Sequence, residues 1–437
     1  MDTNVYVKNL YKDLLATAAK NGNTVYENEL TRLSNLEHVR SLNSNHVSIK
    51  EIFRAFWPSF KLLHQDKLRS SIININVESM IDCRNLSKGY LFYECSKCDH
   101  YHLSGLSCHS RFCSSCGHKY RDSRSLEIQK KLISVPHRHF VFSLPFDLRP
   151  FFWKCRPLFD CLFKSVNDSL HFSLDLSKKD LADDARLGFV AFLHTSGRSL
   201  NLHPHIHVLI AEATIDKFNK KKDLYFFPFE RLRKTFMFKF LSLASKVLKA
   251  FGNHSLYREF NILRSKIIKK YKDGFYTYGP RIKEFTKFYN TKKIANYIAR
   301  YASHPPIAES NILSLDSTNS TVSWRYTPHD DPNNPVVITE HPHIFISRLI
   351  RHIHDEGFHQ IRYYGFYANK SARANSFTKL VSKSSIDYLK SRLKWRIMLL
   401  DTFKFDPLLC SCGAKMVLNI KLSFLPNNNK GAYISDA

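Results

Sequence analysis

The stretch His194-Thr-Ser-Gly-Arg-Ser-Leu-Asn-Leu-His203-Pro-His205-Ile-His207-Val-Leu-Ile-Ala211 gathers four of the chain's 22 histidines around one short apolar segment. Successive side chains of a β-strand point to opposite faces, and the alternation from residue 205 onward predicts such a strand. His205 and His207 therefore share one face, and Ile206 between them points into the core. Two imidazoles on one face of a strand can bind a divalent cation, so the stretch predicts a metal site.

A second strand is predicted immediately upstream, over residues 187–194. Gly197 lies in a connection that suits a hairpin, which would bring His194 beside the histidine pair as a third ligand. His203 is the rival for that position. The alternative is that these histidines cap a strand and bind only backbone or water. The same His-x-His pattern also occurs in metal-dependent hydrolases, which add further Asp or His ligands to hold an activated water.

The composition indicates a globular protein with a polyanionic partner. A chain of 437 residues with 43% hydrophobic and 14% aromatic content can form two to four domains, and a mainly disordered protein is excluded. The 66 Lys and Arg residues exceed the 38 Asp and Glu residues by 28 charges, and the excess is spread along the chain. Nucleic acid is the expected partner. A lysine-rich protein without a polyanionic partner and a membrane-surface binder are the alternatives.

No apolar run approaches the roughly 20 residues that are needed to span a bilayer, so we expect no membrane partner. The first residues, Met1-Asp-Thr-Asn-Val, lack the basic start and apolar core of a signal peptide, which predicts a cytoplasmic protein. Six of the ten cysteines fall between Cys83 and Cys116. This clustering favours a thiolate metal site in a reducing compartment over a disulfide framework.

Two Cys-x-x-Cys pairs stand fourteen residues apart within this cysteine-rich stretch. Each pair can supply two thiolates to one tetrahedral Zn²⁺, and two pairs close its coordination sphere, so the predicted site is structural. The predicted ligands are Cys95, Cys98, Cys113 and Cys116. The rival ligands, or members of a second site, are Cys83, Cys108, His102 and His109.

Basic residues follow the second cysteine pair in a segment that favours a helix. Lys119, Arg121 and Arg124 there are candidate contacts to DNA phosphate, with a solvated surface helix as the alternative. Near the C-terminus, Cys410-Ser-Cys412 has no partner pair nearby in the sequence. We interpret it as a degenerate Cys-x-x-Cys pair or as plain buried cysteines.

A pair of tyrosines marks a second candidate site. Residues 291–304 favour a helix that must end before Pro305-Pro306, and Tyr297 and Tyr301 lie one turn apart on one face of it. Both hydroxyls can therefore reach one site, although such a pair is by itself more often a packing feature. Three basic residues of the same segment, Lys292, Lys293 and Arg300, are candidate DNA contacts.

Strands and helices alternate irregularly along the chain, which predicts an α+β fold with a sheet covered on one side by helices. His137–Pro145 is predicted as a further strand. We divide the chain into a helical N-terminal region (1–75), a zinc-binding domain (76–130), a domain with the histidines and tyrosines (131–330), and a C-terminal region of a helix, strands and the Cys-x-Cys (331–437).

These motifs together resemble the rolling-circle insertion-sequence transposases that carry a His-hydrophobic-His (HUH) motif and two tyrosines. The resemblance is carried by His203-Pro-His205-Ile-His207, by Tyr297 and Tyr301 before the two prolines, and by the preceding cysteine module. It extends in one order from about Cys83 to Phe366 and includes Ile361-Arg-Tyr-Tyr-Gly365 near its end.

The resemblance implies an antiparallel-sheet HUH nuclease domain, covered by helices and preceded by a small zinc-binding module. It implies a single-strand DNA endonuclease and strand transferase. The histidine pair would hold Mg²⁺ or Mn²⁺ at the scissile phosphate, and a tyrosine would attack to leave a 5′-phosphotyrosine and a free 3′-hydroxyl. A phenol with a pKa of about 10 is a weak nucleophile, so a cation is needed to polarise the phosphate and favour the phenolate.

The chain departs from the family pattern in two places. The C-terminal pair of the family is usually Cys-x-x-Cys, whereas Cys410 and Cys412 stand one residue closer, so the resemblance does not carry a second zinc site over to this chain. The first eighty residues also match poorly.

Three alternative functions remain. A plasmid replication initiator or relaxase shares the histidines and tyrosines, although the zinc module favours the transposase. A zinc-containing DNA-binding protein without catalysis would use Tyr297 and Tyr301 to stack on bases. A metal-dependent hydrolase is the third.

Overall fold

The computed structural model describes most of the chain from residue 47 to residue 426. The described residues are 47–68, 70–174, 180, 182–224, 226–279, 306–328, 330–379, 382–392, 394, 396–397, 406 and 408–426. The helices are α1 (Ile49–Leu63), α2 (Ser71–Ile81), α3 (Ser114–Lys131), α4 (Arg149–Lys154), α5 (Leu158–Ser173), α6 (Phe229–Ala250), α7 (His254–Lys270), α8 (Pro342–Ile350) and α9 (Lys383–Arg392).

The strands belong to three antiparallel sheets. They are β1 (Tyr90–Cys95), β2 (Tyr101–Gly105), β3 (His137–Ser143), β4 (Arg186–Ser196), β5 (Leu202–Ile215), β6 (Lys221–Asp223), β7 (Thr277–Tyr278), β8 (Ile312–Asp316), β9 (Thr321–Tyr326), β10 (Val336–Glu340), β11 (Ile361–Tyr364) and β12 (Met416–Leu418). The predicted α+β class, with an antiparallel sheet and helices, is confirmed.

The chain divides into two compact units. One comprises Met1–Tyr120, Ser303–Asp355 and Asp387–Ala437, and it is called the cysteine-rich unit below. The other, called the histidine unit, comprises Arg121–Ala302 and Glu356–Ile386. Each unit is therefore built from segments that are distant in the sequence.

The histidine unit is organised around a sheet of strand order β11-β4-β5-β3-β7, with β6 paired to β5. The 14-residue β5 is central, and its first half alternates between buried and half-buried residues before it becomes fully buried. This pattern follows from the strand period of two, which sends alternate side chains to opposite faces. β11 joins the sheet by pairing with β4, from Ile361 opposite Phe192 to Tyr364 opposite Phe189.

Helices α4 to α7 cover one face of this sheet. Their aromatic and aliphatic residues pack on Phe140, Phe142, Ile206, Val208 and Ile210, all of which have no exposed surface. Burying one such side chain contributes roughly 1.5 to 3 kcal/mol, so this face holds the main core. The aromatic segment before β4 forms two helices, because α4 ends before Cys155 and α5 begins after Pro157.

The other face of the sheet is covered over part of its length, which differs from the prediction of one covered side. The last turns of α3 and the residues after β11 pack there on Val190, Phe192 and Leu209. Gly188 of β4 permits this packing, because a Cβ at this position would lie 2.2 Å from the Phe366 ring. Beyond these residues, the same face carries the histidines.

The cysteine-rich unit contains the sheets β12-β1-β2 and β10-β9-β8. Helix α1 begins with a capping box in which Ser48 accepts from the Glu51 amide and Glu51 accepts from the Ser48 amide. Its buried face, Ile49, Ile52, Phe53, Trp57 and Phe60, forms the helical core of this unit. None of the described helices has the length and apolarity that a bilayer crossing requires.

Candidate metal centre

Three histidines of the histidine unit meet at one point of the sheet. His205 and His207 lie on β5, and His194 on β4 is directly opposite His205 in the strand register. One ring nitrogen from each of the three lies within 4.8 Å of the others. The ring centroids of His194 and His207 are 4.5 Å apart, and those of His205 and His207 are 4.9 Å apart. These residues can therefore bind one metal ion together.

Strand geometry explains why these side chains meet. Ile206 is buried in the main core, so its neighbours His205 and His207 point to the opposite face. Antiparallel pairing places His194 beside them on that face. His203, the rival third ligand, is not in this group, and its Nε2 lies 2.8 Å from the Ser143 hydroxyl.

Hydrogen bonds fix the orientation of the paired histidines. The Nδ1 of His205 lies 2.7 Å from the carbonyl oxygen of His203, and because a carbonyl only accepts, this nitrogen carries the proton. The lone pair of His205 is therefore on Nε2. The Nδ1 of His207 lies 2.8 Å from the Nε2 of His139, a residue of β3. If Nδ1 of His207 donates to His139, the lone pair of His207 is also on Nε2.

Burial keeps this cluster uncharged. Desolvation, with smaller contributions from neighbouring positive groups, lowers the pKa of His203 to about 3. Desolvation likewise lowers the pKa of His139 to about 4, and the pKa values of His205 and His207 are also lowered mainly by burial. A neutral imidazole is the form that ligates metal, so the group is suited to binding a cation near pH 7.

Arg149, the first residue of α4, acts electrostatically on this cluster. After burial, its positive charge is one of the causes that lower the pKa values of His203 and His205. Its Nε has no hydrogen-bond partner among the described residues. Burial lowers the pKa of Arg149 itself, and the guanidinium lies 5.5 Å from the Phe146 ring centroid. The site therefore holds a cation that an anion could neutralise.

The predicted tyrosines and their basic neighbours lie outside the described residues. These are Tyr297, Tyr301, Lys292, Lys293 and Arg300, and they remain predictions. The described segment that precedes them ends with β7, which belongs to the same sheet as the histidines. Val141 of β3 pairs with His207 on one side and with Tyr278 of β7 on the other. Two strand spacings, about 10 Å, therefore separate Tyr278 from His207.

The cysteines form two groups, not the single site expected from the two Cys-x-x-Cys pairs. Cys113 and Cys116 lie with Cys83 and Cys108, whereas Cys95 and Cys98 lie with Cys410 and Cys412. The reason is the β1–β2 hairpin, in which Tyr90 pairs with Gly105 and Glu94 pairs with Tyr101. One pair lies at the turn and the other follows the far end, about 17 Å away along β1. The predicted ligand set Cys95, Cys98, Cys113 and Cys116 is thus corrected.

The first group has the spacing of a tetrahedral thiolate site. The sulfur of Cys116 lies 3.7 Å from the sulfurs of Cys83 and Cys108. Zinc–sulfur bonds of about 2.3 Å give a tetrahedron edge of about 3.8 Å. All four cysteines are free, and Cys83, Cys113 and Cys116 are buried. His102 and His109 belong to neither group.

The basic residues expected to contact DNA lie on α3, which begins next to Cys116. Lys119 is exposed. Arg121 and Arg124 have acidic partners, since Arg121 pairs with Asp122 at 3.0 Å and Arg124 with Glu127 at 2.6 Å. These acidic partners partly neutralise the charges of the two arginines. Contact of the arginines with DNA remains a prediction.

Comparison with known proteins connects both sites to one family. Residues 188–375 match a family model described as "Putative transposase" (Y2_Tnp), and residues 52–144 match one described as "Transposase zinc-binding domain" (Zn_Tnp_IS91). Together the matches span more than half of the chain. The chain belongs to the insertion-sequence transposases that carry these two domains. The transposase match includes His194, His205 and His207, and the zinc-binding match includes Cys83, Cys108, Cys113 and Cys116.

Two curated relatives agree with this family. The transposase is 28% identical over 389 residues to "Transposase for insertion sequence element IS801" of Pseudomonas savastanoi pv. phaseolicola, covering 86% of this chain and 90% of the relative. It is 25% identical over 333 residues to "Putative transposase y4qJ" of Sinorhizobium fredii (strain NBRC 101917 / NGR234), covering 74% and 80%. No solved structure matches.

Sequence reasoning about the transposase missed His139 and Arg149. His139 lies in the predicted strand over residues 137–145. The strand period of two could have indicated that it shares a face with His137. The strand register that places it beside His207 is not visible in the sequence. Nothing in the sequence distinguished Arg149 from the other arginines.

Proposed function

We propose that the transposase nicks and rejoins single-stranded DNA at the ends of its insertion sequence, by rolling-circle transposition through 5′-phosphotyrosine intermediates. The observation that carries the proposal is the convergence of three imidazoles on one sheet face, where burial lowers the pKa values of His205 and His207. His194, His205 and His207 would hold Mg²⁺ or Mn²⁺, and Tyr297 and Tyr301 would supply the nucleophiles. When bound, the cation polarises the scissile phosphodiester and favours the phenolate.

The reaction is a balanced exchange of phosphate esters. The tyrosine oxygen forms a bond to phosphorus and loses its proton, and the bond from phosphorus to the 3′-oxygen breaks. The departing 3′-oxygen takes a proton to become a hydroxyl, and the 5′-phosphate stays on the tyrosine. In the reverse direction a 3′-hydroxyl attacks the phosphotyrosine and restores both the phosphodiester and the free tyrosine. The ester bond is conserved, so no nucleotide cofactor is required.

The described residues have defined parts in this proposal. His139 would accept the Nδ1 proton of His207 and so keep the Nε2 lone pair available, which makes His139 a positioning residue. Arg149 would bind a phosphate oxygen of the DNA, because it presents a partly buried guanidinium near His203 and His205. The position of β7 supports the role of the tyrosines, since the segment that carries them begins one strand beyond β3.

The test is formation of a covalent protein–DNA adduct. A labelled single-stranded oligonucleotide with the element terminus is incubated with the protein and Mn²⁺, and products are separated under denaturing conditions. The unmodified protein should form an adduct, and the double variant Tyr297→Phe/Tyr301→Phe should form none. The double variant His205→Ala/His207→Ala should lower the adduct rate by about 10³-fold or more.

Matched controls separate these effects from misfolding. Tyr257→Phe removes a hydroxyl on α7, a helix on the opposite sheet face, and His254→Ala removes an exposed histidine of the same helix. Both should keep the adduct rate of the unmodified protein. An adduct that survives in the double tyrosine variant would refute the tyrosine role. DNA binding with no adduct under any cation would favour the DNA-binding protein without catalysis.

A further inference from the structure

The second cysteine group joins two segments that are distant in the sequence. Cys95 and Cys98 come from the β1–β2 turn, and Cys410 and Cys412 come from the segment before β12. We propose that these four residues form a second structural zinc site, which fastens the C-terminal segment 408–426 to the β1–β2 hairpin. This segment lies outside both family matches, which end at residues 144 and 375.

The sulfur positions fit a tetrahedral metal site. Cys412 lies 3.5 Å from both Cys95 and Cys98, and Cys98 lies 3.6 Å from Cys410. These separations are close to the edge of about 3.8 Å in a zinc–thiolate tetrahedron. They are far longer than the roughly 2.05 Å of a disulfide bond, and all four cysteines are free. A soft divalent ion therefore suits the group better than oxidation does.

Backbone hydrogen bonds hold the Cys410-Ser-Cys412 segment in a turn, although its spacing is one residue shorter than that of a Cys-x-x-Cys pair. The Gly413 amide donates to the Cys410 carbonyl at 2.9 Å, and the Cys410 amide donates to the Ala414 carbonyl at 2.9 Å. Gly413 has a φ of +81°, which favours glycine at this position. The turn thus presents both sulfurs to one point despite the shorter spacing, and the sequence-based interpretation as a degenerate pair underestimated it.

The two cysteine pairs are also joined by a strand pairing. Cys95 is opposite Met416 where β1 pairs with β12, and the Ser96 amide donates to the Lys415 carbonyl at 3.2 Å. The Lys97 amide donates to the Cys95 sulfur at 3.3 Å, a contact that stabilises a thiolate. Tyr93 and Met416 form a small buried cluster together with the ligand Cys410. The pairing of β1 with β12 therefore holds the two cysteine pairs close together.

The site has a structural consequence because it closes a very long loop. Cys95 and Cys412 are 317 positions apart, and the small apolar cluster beside them has three buried residues, with Leu91, Cys95, Leu408 and Leu418 partly buried against it. A cluster of this size contributes little burial energy compared with the cost of ordering a chain segment. The metal is therefore expected to supply much of the free energy that keeps segment 408–426 in place.

The experiment measures bound zinc in the full-length chain. All measurements use the His205→Ala/His207→Ala background, so that zinc at the imidazoles does not contribute. We expect two zinc ions per chain, with a first shell that contains only sulfur at about 2.3 Å by X-ray absorption. Adding Cys410→Ala/Cys412→Ala should lower the count from two ions to one. The matched control Cys155→Ala/Cys161→Ala removes two buried cysteines outside both groups and should keep two ions.

A second measurement tests the site without altering any cysteine. Cadmium-113 resonance of the same background, after exchange of zinc for cadmium, should show two signals in the range of four-sulfur coordination. A single signal, or one zinc ion per chain, would overturn the proposal even if the Cys410→Ala/Cys412→Ala protein failed to fold. A count that stays at two in that folded variant would overturn it as well. Adduct formation is assayed separately and does not enter this result.

Discussion

The imidazole centre and the second cysteine group are built from the chain in opposite ways. His194, His205 and His207 come from one hairpin, so strand alternation and antiparallel pairing are enough to bring them together. The second cysteine group joins residues 312 to 317 positions apart. The centre offers three candidate ligands, which would leave a position open for substrate, whereas four thiolates would fill the coordination sphere of a zinc ion in each cysteine group. The strand pattern alone thus brings the histidines together, whereas the second cysteine group depends on pairing between distant segments.

The largest expected effect concerns the buried cysteine group. Cys116→Ala removes a ligand from the group with Cys83, Cys108 and Cys113, where three of the four are buried. We expect its metal to be lost and the free energy of unfolding of the cysteine-rich unit to fall by about 4 kcal/mol or more. Cys412→Ala, at an exposed ligand of the second group, should cost less. Urea unfolding followed by tryptophan fluorescence of α1 measures both variants. Equal losses would contradict the contrast between the two groups.

A smaller effect is expected from His139, which contacts a proposed ligand and not the metal. His139→Ala should weaken Mn²⁺ binding by about 10 to 100-fold, because His207 loses the acceptor that fixes its tautomer. His139→Gln offers an amide oxygen to the same proton and should recover part of the affinity. Titration calorimetry with Mn²⁺ measures both, and saturating Mn²⁺ should restore adduct formation. A loss of adduct that no Mn²⁺ concentration restores would contradict a positioning role.

The smallest effect is expected from Arg149. Arg149→Ala should weaken binding of a single-stranded oligonucleotide by about tenfold and reduce the salt dependence of binding by about one charge. Arg186→Ala is the matched control, because Arg186 pairs with Asp184 at 2.9 Å and lies about 26 Å along β4 from His194. Fluorescence anisotropy at several salt concentrations measures both variants. An unchanged salt dependence of binding for Arg149→Ala would contradict the proposed contact between Arg149 and DNA phosphate.

Particular residues show how far sequence reasoning reached. The prediction that His194 joins His205 and His207 agrees with the group in the structure, because a hairpin needs only the strand period and one turn. The pairing of the cysteines was wrong, because two Cys-x-x-Cys pairs in one stretch give no information about the hairpin that separates them. His139 was missed for a related reason, since its contact with His207 depends on the register between β3 and β5.

The sequence by itself determined the local features of this transposase: the strand that carries two histidines on one face, the thiolate-rich stretch, and a basic chain suited to nucleic acid. These features depend on neighbouring residues and on composition, so they are visible without coordinates. The tertiary structure decided which cysteines lie together, which histidine contacts His207, and which arginine acts electrostatically on His203 and His205. These choices depend on strand register and on contacts between distant segments, which local residue patterns do not encode.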